Sequence, residues 1–147
     1  MNKIYYAYQE FQEDLKTLTQ KIDQPFDVIV PISRGGLAMG QMLGEYYDIR
    51  EVYAINTIGY NGTQKLDELK VFNLPDLSTA QRVLIVDDIA DSGDTLVGVI
   101  EALSLRYPEV VLLTATIFYK PTSSIEPNWW VKEPHGWIEF FWSKDLF

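Results

Sequence analysis

The segment Val83-Leu84-Ile85-Val86-Asp87-Asp88-Ile89-Ala90-Asp91-Ser92-Gly93-Asp94-Thr95 sets an apolar run, two adjacent carboxylates and a small-residue turn in immediate succession. Val83 to Val86 are continuously apolar and largely β-branched, which predicts a strand covered on both faces of a parallel sheet. Ligands of open α/β sheets sit outside the carboxyl ends of the strands, where a following helix aims free N–H groups and its positive dipole end at an anion. Asp91 to Thr95 supply the turn that opens such a helix, so the segment describes a site for a phosphorylated sugar.

Working outward, strands and helices alternate. Tyr8, Phe11, Leu15, Leu18 and Ile22 recur at helical spacing, predicting an amphipathic helix over about residues 6–22 that Pro25 ends. Phe26 to Ile32 reads as a buried strand, and Met39, Met42, Leu43 and Tyr46 give the helix after it. Val52 to Ile58 is the next strand. About residues 59–70 are polar, glycine-containing and without apolar periodicity, as in a mobile loop or open hairpin. Beyond the opening segment, Leu96, Val99, Ile100 and Leu103 form another helical stripe closed by Pro108, and Val110 to Phe118 is a long apolar strand. This alternation calls for an α/β fold, a parallel-sheet core with helices on both faces. From Pro121 onward the texture changes, and the tail holds all four tryptophans of the chain.

Bulk properties narrow the chemistry. The 147 residues, 47% of them hydrophobic, suit a single domain with a full core. No leader pattern opens the chain and no apolar run approaches the length of a membrane span, so a cytoplasmic protein without a transmembrane segment is expected. The absence of cysteine excludes disulfides and thiolate chemistry, leaving oxygen donors or the single His135 for any metal. A net charge of −9 argues against nucleic acid as a partner.

Adjacent carboxylates at a strand end can chelate Mg²⁺ or accept hydrogen bonds from the vicinal hydroxyls of a ribose, which singles out Asp87 and Asp88. With Asp91 and Asp94 close by, a bare phosphate would be repelled unless a cation and backbone N–H groups intervened, and Mg²⁺ is the cation implied. The plainer alternative for Asp94 is a helix cap, and for Asp91 a turn closure. Upstream, Pro31-Ile32-Ser33-Arg34-Gly35-Gly36 ends another strand. Arg34 is a permanent cation with forked donors suited to a diphosphate, and Gly35 and Gly36 let backbone N–H groups approach closely. Alone, this stretch would equally suit a plain glycine turn.

The run VLIVDD also resembles the opening of phospho-acceptor receiver domains. Those carry the acid pair on their first strand, however, whereas here only 59 residues follow Asp88. Neither a Walker loop nor a G-x-G-x-x-G turn is present. Taken whole, Val83 to Thr95 resembles the phosphoribosyl-pyrophosphate signature of the type I phosphoribosyltransferases. Ser33 to Gly36 resembles their pyrophosphate loop, in which a non-proline cis peptide near Ser33 and Arg34 is anticipated. Together with Glu68 to Val71 (ELKV), Thr116 to Pro121 (TIFYKP) and Trp137 to Glu139 (WIE), the chain is most similar to the short bacterial xanthine-guanine phosphoribosyltransferases.

That resemblance implies a domain over 1–147 with a small hood formed by the aromatic tail, about 119–147. It implies a donor site of Ser33, Arg34, Gly35, Gly36, Asp87, Asp88, Asp91, Ser92, Gly93, Asp94 and Thr95, with Asp87 and Asp88 on Mg²⁺. Lys120 is expected to donate to a purine 6-oxo group, Trp137 to stack on the base, and Ile138 to offer backbone contacts. Asp91 and Arg34 are the expected catalytic residues. In the loop, similar enzymes carry a basic residue where Asp67 stands, so either Lys65 or Lys70 supplies the charge or the loop grips pyrophosphate less firmly. Trp129, Trp130, Phe140 and Phe141 are assigned to core or subunit interface, and His135 to a turn.

The implied activity is transfer of a 5-phosphoribosyl group from 5-phosphoribosyl 1-pyrophosphate to a 6-oxopurine, by a homodimer or homotetramer. Alternatives are a hypoxanthine-guanine or other purine phosphoribosyltransferase, or a non-catalytic nucleotide-sensing regulator on the same fold.

Overall fold

The computed structural model of the protein describes residues 2–59 and 68–147. Its main sheet runs β4 (Leu69–Phe72), β3 (Ile55–Gly59), β2 (Val28–Ser33), β5 (Arg82–Ala90), β6 (Val111–Tyr119), β7 (Trp129–Lys132). All neighbours pair in parallel except β3 and β4, which are antiparallel. The helices α1 (Tyr8–Lys21) and α2 (Leu37–Tyr47) cover one face and α3 (Asp94–Arg106) the other. Among the described residues no helix is long and apolar enough to cross a membrane.

The opening apolar run shows why the sheet is covered twice. Leu84 and Val86 point into the cluster with Phe11, Leu15 and Met39, while Val83 and Ile85 point into the other with Leu96, Val99 and Leu103. All four β5 residues are fully buried. Alternation along a strand thus feeds two cores at once, each such side chain gaining about 1.5–3 kcal/mol from burial.

Three differences from the sequence expectation matter. First, β5 does not stop at Val86 but runs through the acid pair to Ala90, because β6 continues beside it and pairs Asp87 with Thr116 and Ala90 with Tyr119. Second, of the two readings of the polar stretch after β3 the hairpin holds at its base, and its return strand runs past residue 70: β4 pairs back onto β3, with Gly59 opposite Leu69 and Asn56 opposite Phe72. Third, the aromatic tail divides. Its first part, β7, joins the edge of the main sheet, where Trp129 enters the core; its second, β8 (Trp137–Phe140), pairs in parallel with β1 (Lys3–Tyr6) from the opposite end of the chain. The predicted first helix accordingly begins later, with Tyr6 in β1 and Ala7 at the N-cap.

An aromatic cluster joins the small sheet to the large one. Tyr6 meets Phe11, Phe118 and Phe140 edge-on, and Phe140 stacks on Trp142 of the short α4 (Phe141–Lys144) at 4.7 Å and 7°. Below it Tyr6 donates a hydrogen bond to Asp14, and Lys132 reaches both Asp14 and Glu10 at 2.8 Å. These contacts hold β8 and α4 over the carboxyl ends of the main strands.

Candidate active site

Parallel pairing of β2 with β5 sets Pro31 opposite Val86, so the chain leaving β2 passes beside the acid pair. The Ser33–Arg34 peptide is cis, at the position the resemblance anticipated. The turn that follows is pressed onto β5. A Cβ added at Gly35 would lie 2.4 Å from Asp88 Oδ2, and one at Gly36 2.4 Å from the Val86 carbonyl oxygen. Only glycine fits there, which explains both residues without reference to any ligand.

The resulting cavity, about 920 Å³, is lined by Ser33, Arg34, Gly35, Asp87, Asp88 and Thr95 among others. Thr57 of β3 and the tail residues Phe140 and Trp142 also line it, and none of these three was assigned to it from sequence. Asp87 is only 9% exposed, and its Oδ1 accepts the Asp88 backbone N–H at 2.9 Å. Burial, and then the neighbouring Asp88 charge, pushes the Asp87 carboxyl well above the usual carboxylate range. Burial also pushes Asp88 up, to about 6, against hydrogen bonds that pull the other way.

On the far side of the acid pair, Asp91 to Gly93 turn the chain into α3. Gly93 takes φ +90° and is the N-cap residue, so Asp94 is the first helical residue rather than the cap. The Ser92 hydroxyl accepts the Asp94 N–H at 3.2 Å. A second turn braces the first: the Ser124 N–H donates to the Ser92 carbonyl at 2.8 Å, and a Cβ on Gly93 would lie 2.6 Å from the hydroxyls of Ser123 and Ser124. Ser123 and Ser124 sit in an unremarkable stretch of sequence, and nothing in it signals this role. The cradle itself is lined by Asp87, Asp88, Asp91, Ser92, Gly93 and Thr95.

The bracing turn descends from Lys120, whose backbone N–H donates to the Ala90 carbonyl at 3.0 Å. That bond extends the β5–β6 ladder by one residue and delivers the Lys120 ammonium to Asp91, Nζ to Oδ1 at 2.9 Å. Both groups remain about half exposed, facing a cavity of about 520 Å³ shared with Ile89, Trp137, Ile138 and Phe140. Trp137 is 56% exposed, its indole free to receive a flat ligand, while its backbone N–H is tied to the Asn2 carbonyl at 2.8 Å. Gly136 at φ +151° allows that approach, since a Cβ would stand 2.7 Å from the same oxygen.

Ser33, Arg34, Gly35, Asp87, Asp88, Asp91, Ser92, Gly93 and Thr95 therefore converge, with Lys120, Trp137 and Ile138 in the adjoining cavity, whereas Gly36 packs on the Val86 carbonyl and Asp94, the first residue of α3, is not among the residues lining these cavities. Lys65 and Asp67 lie outside the described residues, and Lys70 extends over the Phe72 ring at 5.1 Å on edge strand β4, away from the cavity lining. His135 is an exposed bend residue before β8.

Residues 1–146 match the family model described as phosphoribosyl transferase domain. A xanthine-guanine phosphoribosyltransferase of Roseobacter denitrificans is 29% identical over 155 residues, covering 95% of this chain and 85% of its own. Among solved structures, a xanthine-guanine-hypoxanthine phosphoribosyltransferase from Helicobacter pylori superposes with a TM-score of 0.90 at 32% identity, covering 99% of this chain and 96% of that one. A purine phosphoribosyltransferase from Pyrococcus horikoshii gives 0.79 at 29%, covering 98% and 95%.

Proposed function

The chain belongs to the phosphoribosyl transferase domain family, and from that premise we propose that it moves a 5-phosphoribosyl group from 5-phosphoribosyl 1-pyrophosphate to a ring nitrogen of a 6-oxopurine, in purine salvage. The observation that carries this is the Asp91–Lys120 pair, 2.9 Å apart where the phosphate turn meets the aromatic cavity. An acceptor and a donor stand side by side there, matching the N7–H and 6-oxo edge of an oxopurine. Adenine presents an amino group where the ammonium requires an acceptor.

In the reaction the bond from ribose C1 to the pyrophosphate oxygen breaks, a purine nitrogen bonds to C1, and the N7 proton passes to Asp91. Positive charge developing on the ribose is held by the carboxylates beneath it, and Arg34 with the Gly35 and Gly36 N–H groups takes the charge of the departing pyrophosphate. The Ser92 to Thr95 turn and the start of α3 hold the 5′-phosphate. Trp137 supplies one face of a stacking slot.

Two adjacent carboxylates, Asp87 buried and Asp88 partly buried, whose like charges repel one another suit a divalent cation, which supports Asp87 and Asp88 as Mg²⁺ ligands. No cluster of three or more acidic or histidine ligands occurs among the described residues, so substrate oxygens and water would fill the other positions, as Mg²⁺ commonly arranges. When bound, the ion would neutralise the diphosphate against this acidic wall. We further propose a cytoplasmic homo-oligomer, which light scattering of the purified protein would test. Steady-state assays with xanthine, guanine, hypoxanthine and adenine, each with and without Mg²⁺, test the activity: pyrophosphate release with oxopurines alone supports it. Tight nucleotide binding without turnover would favour a sensing role instead.

A further inference from the structure

The WIE motif leaves one residue unused. Glu139 faces the purine cavity from β8, and only 21% of its side chain is exposed. Two ammoniums converge on the same oxygen, Oε1: Lys3 of β1 at 3.8 Å and Lys144 of α4 at 3.9 Å. The three side chains come from the chain's two extremities, brought together by the parallel pairing of β1 with β8, and all line that cavity. Among the described residues, they and the Asp91–Lys120 pair are its charged lining.

Charge makes this end of the cavity unlike the other. Asp91 and Lys120 neutralise each other, whereas two lysines share one carboxylate and leave a net charge of +1. At 3.8 and 3.9 Å neither ammonium is within direct hydrogen-bond distance of Glu139, so each keeps donors for another partner. Both are more than half exposed and can swing without losing a tight bond.

Resting on the 6-oxopurine activity proposed above, we infer that Lys3, Glu139 and Lys144 select the base by its 2-substituent. A purine with its 6-oxo and N7 edge on Lys120 and Asp91 turns its 2-position away from that pair, toward the part of the cavity where this charged trio stands with Ser143. Xanthine carries an oxo group at position 2, pure acceptor, and is the most acidic of the three bases. Guanine carries an amino donor there, and hypoxanthine only hydrogen. Two ammoniums reward the 2-oxo group and its anion; Glu139 accepts from the 2-amino group and keeps guanine admissible. The trio would therefore favour xanthine over hypoxanthine, and Glu139 would set how far guanine follows.

The test is kcat/KM for the three bases in the parent protein and in Lys3→Gln with Lys144→Gln combined, with hypoxanthine as the reference. The xanthine to hypoxanthine ratio should fall about tenfold, the size expected of two half-exposed charges acting together. Its rise with pH across the ionisation of xanthine should flatten too. Glu139→Gln should move the xanthine to guanine ratio the opposite way, upward. Equal changes for all three bases would reduce the trio to a structural prop and overturn the inference while leaving the activity standing. A parent protein that turns over no oxopurine would overturn the activity, and the inference with it.

Discussion

Lys120 Nζ lies 2.9 Å from Asp91 Oδ1, so the two groups assigned to one edge of the purine are already paired with each other. The pair is half exposed and contributes little to stability. Its value lies in position: the pair keeps an acceptor and a donor side by side at the same edge of the cavity. Asp91→Asn keeps the shape and loses the acceptor of a proton. We expect kcat to fall by about 10²–10³, the scale of a removed general base, with the melting temperature nearly unchanged. Steady-state kinetics beside a thermal scan would decide it, and full turnover by the variant would dismiss the assignment.

Gly35→Ala probes the contact between the two halves of the donor site. Its Cβ would fall 2.4 Å from Asp88 Oδ2, closer than any real contact, so the carboxylate must move. The expected result is a KM for phosphoribosyl pyrophosphate raised tenfold or more, about 1.4 kcal/mol, with weaker activation by Mg²⁺. Binding of the purine product should change far less. Titration calorimetry with donor and with nucleotide separates the two effects.

Such contacts explain which parts of the molecule could be read from the chain. Val83 to Val86 were legible because burial on both faces demands an unbroken apolar run, and Asp87, Asp88 and Gly93 because close packing and charge restrict residue choice severely. The strand β1 was not legible. Four residues are too few to show a period, and their partner Trp137 to Phe140 lies at the other end of the chain. Ser124 braces the phosphate turn through its backbone N–H, a contact any residue but proline could make. Lys70 is offered as a loop cation only by the resemblance, and pairing of Ile58 with Lys70 turns it to the face opposite Thr57, which lines the donor cavity.

The acid pair should leave a signature in stability against pH. Burial raises both carboxyls, Asp88 to about 6 and Asp87 well above its ordinary value, from about 3.9 in the unfolded chain. The folded state therefore holds more protons than the unfolded state between those values. Stability from this source is fully present below about 4 and is lost as pH rises through the raised values. Without divalent ions, Asp87→Asn should melt at a higher temperature than the parent at pH 7.5, with the gap closing toward pH 4. Adding Mg²⁺ should stabilise the parent and not the variant. Parallel melting profiles for the two proteins would contradict the raising of these carboxyls by burial.

Phe140 tests whether the β8 sheet is fixed by packing or merely rests on the site. Its ring stacks on Trp142 at 4.7 Å, meets Tyr6 edge-on at 5.7 Å and Phe118 at 6.0 Å, and forms wall in both the donor and purine cavities. Phe140→Ala removes the shared partner of all three. A loss of about 3 kcal/mol follows from the aromatic contacts and the cavity left behind. Leu105→Ala, by contrast, trims a side chain that is 89% exposed on α3 and should stay within about 0.5 kcal/mol of the parent. Because Trp137 and Glu139 ride on the strand that Phe140 anchors, KM for the purine should rise as well as stability fall. If denaturant melts show the loss and purine KM stays fixed, β8 holds its place through pairing with β1 alone, and the aromatic cluster is core rather than the support of the base site.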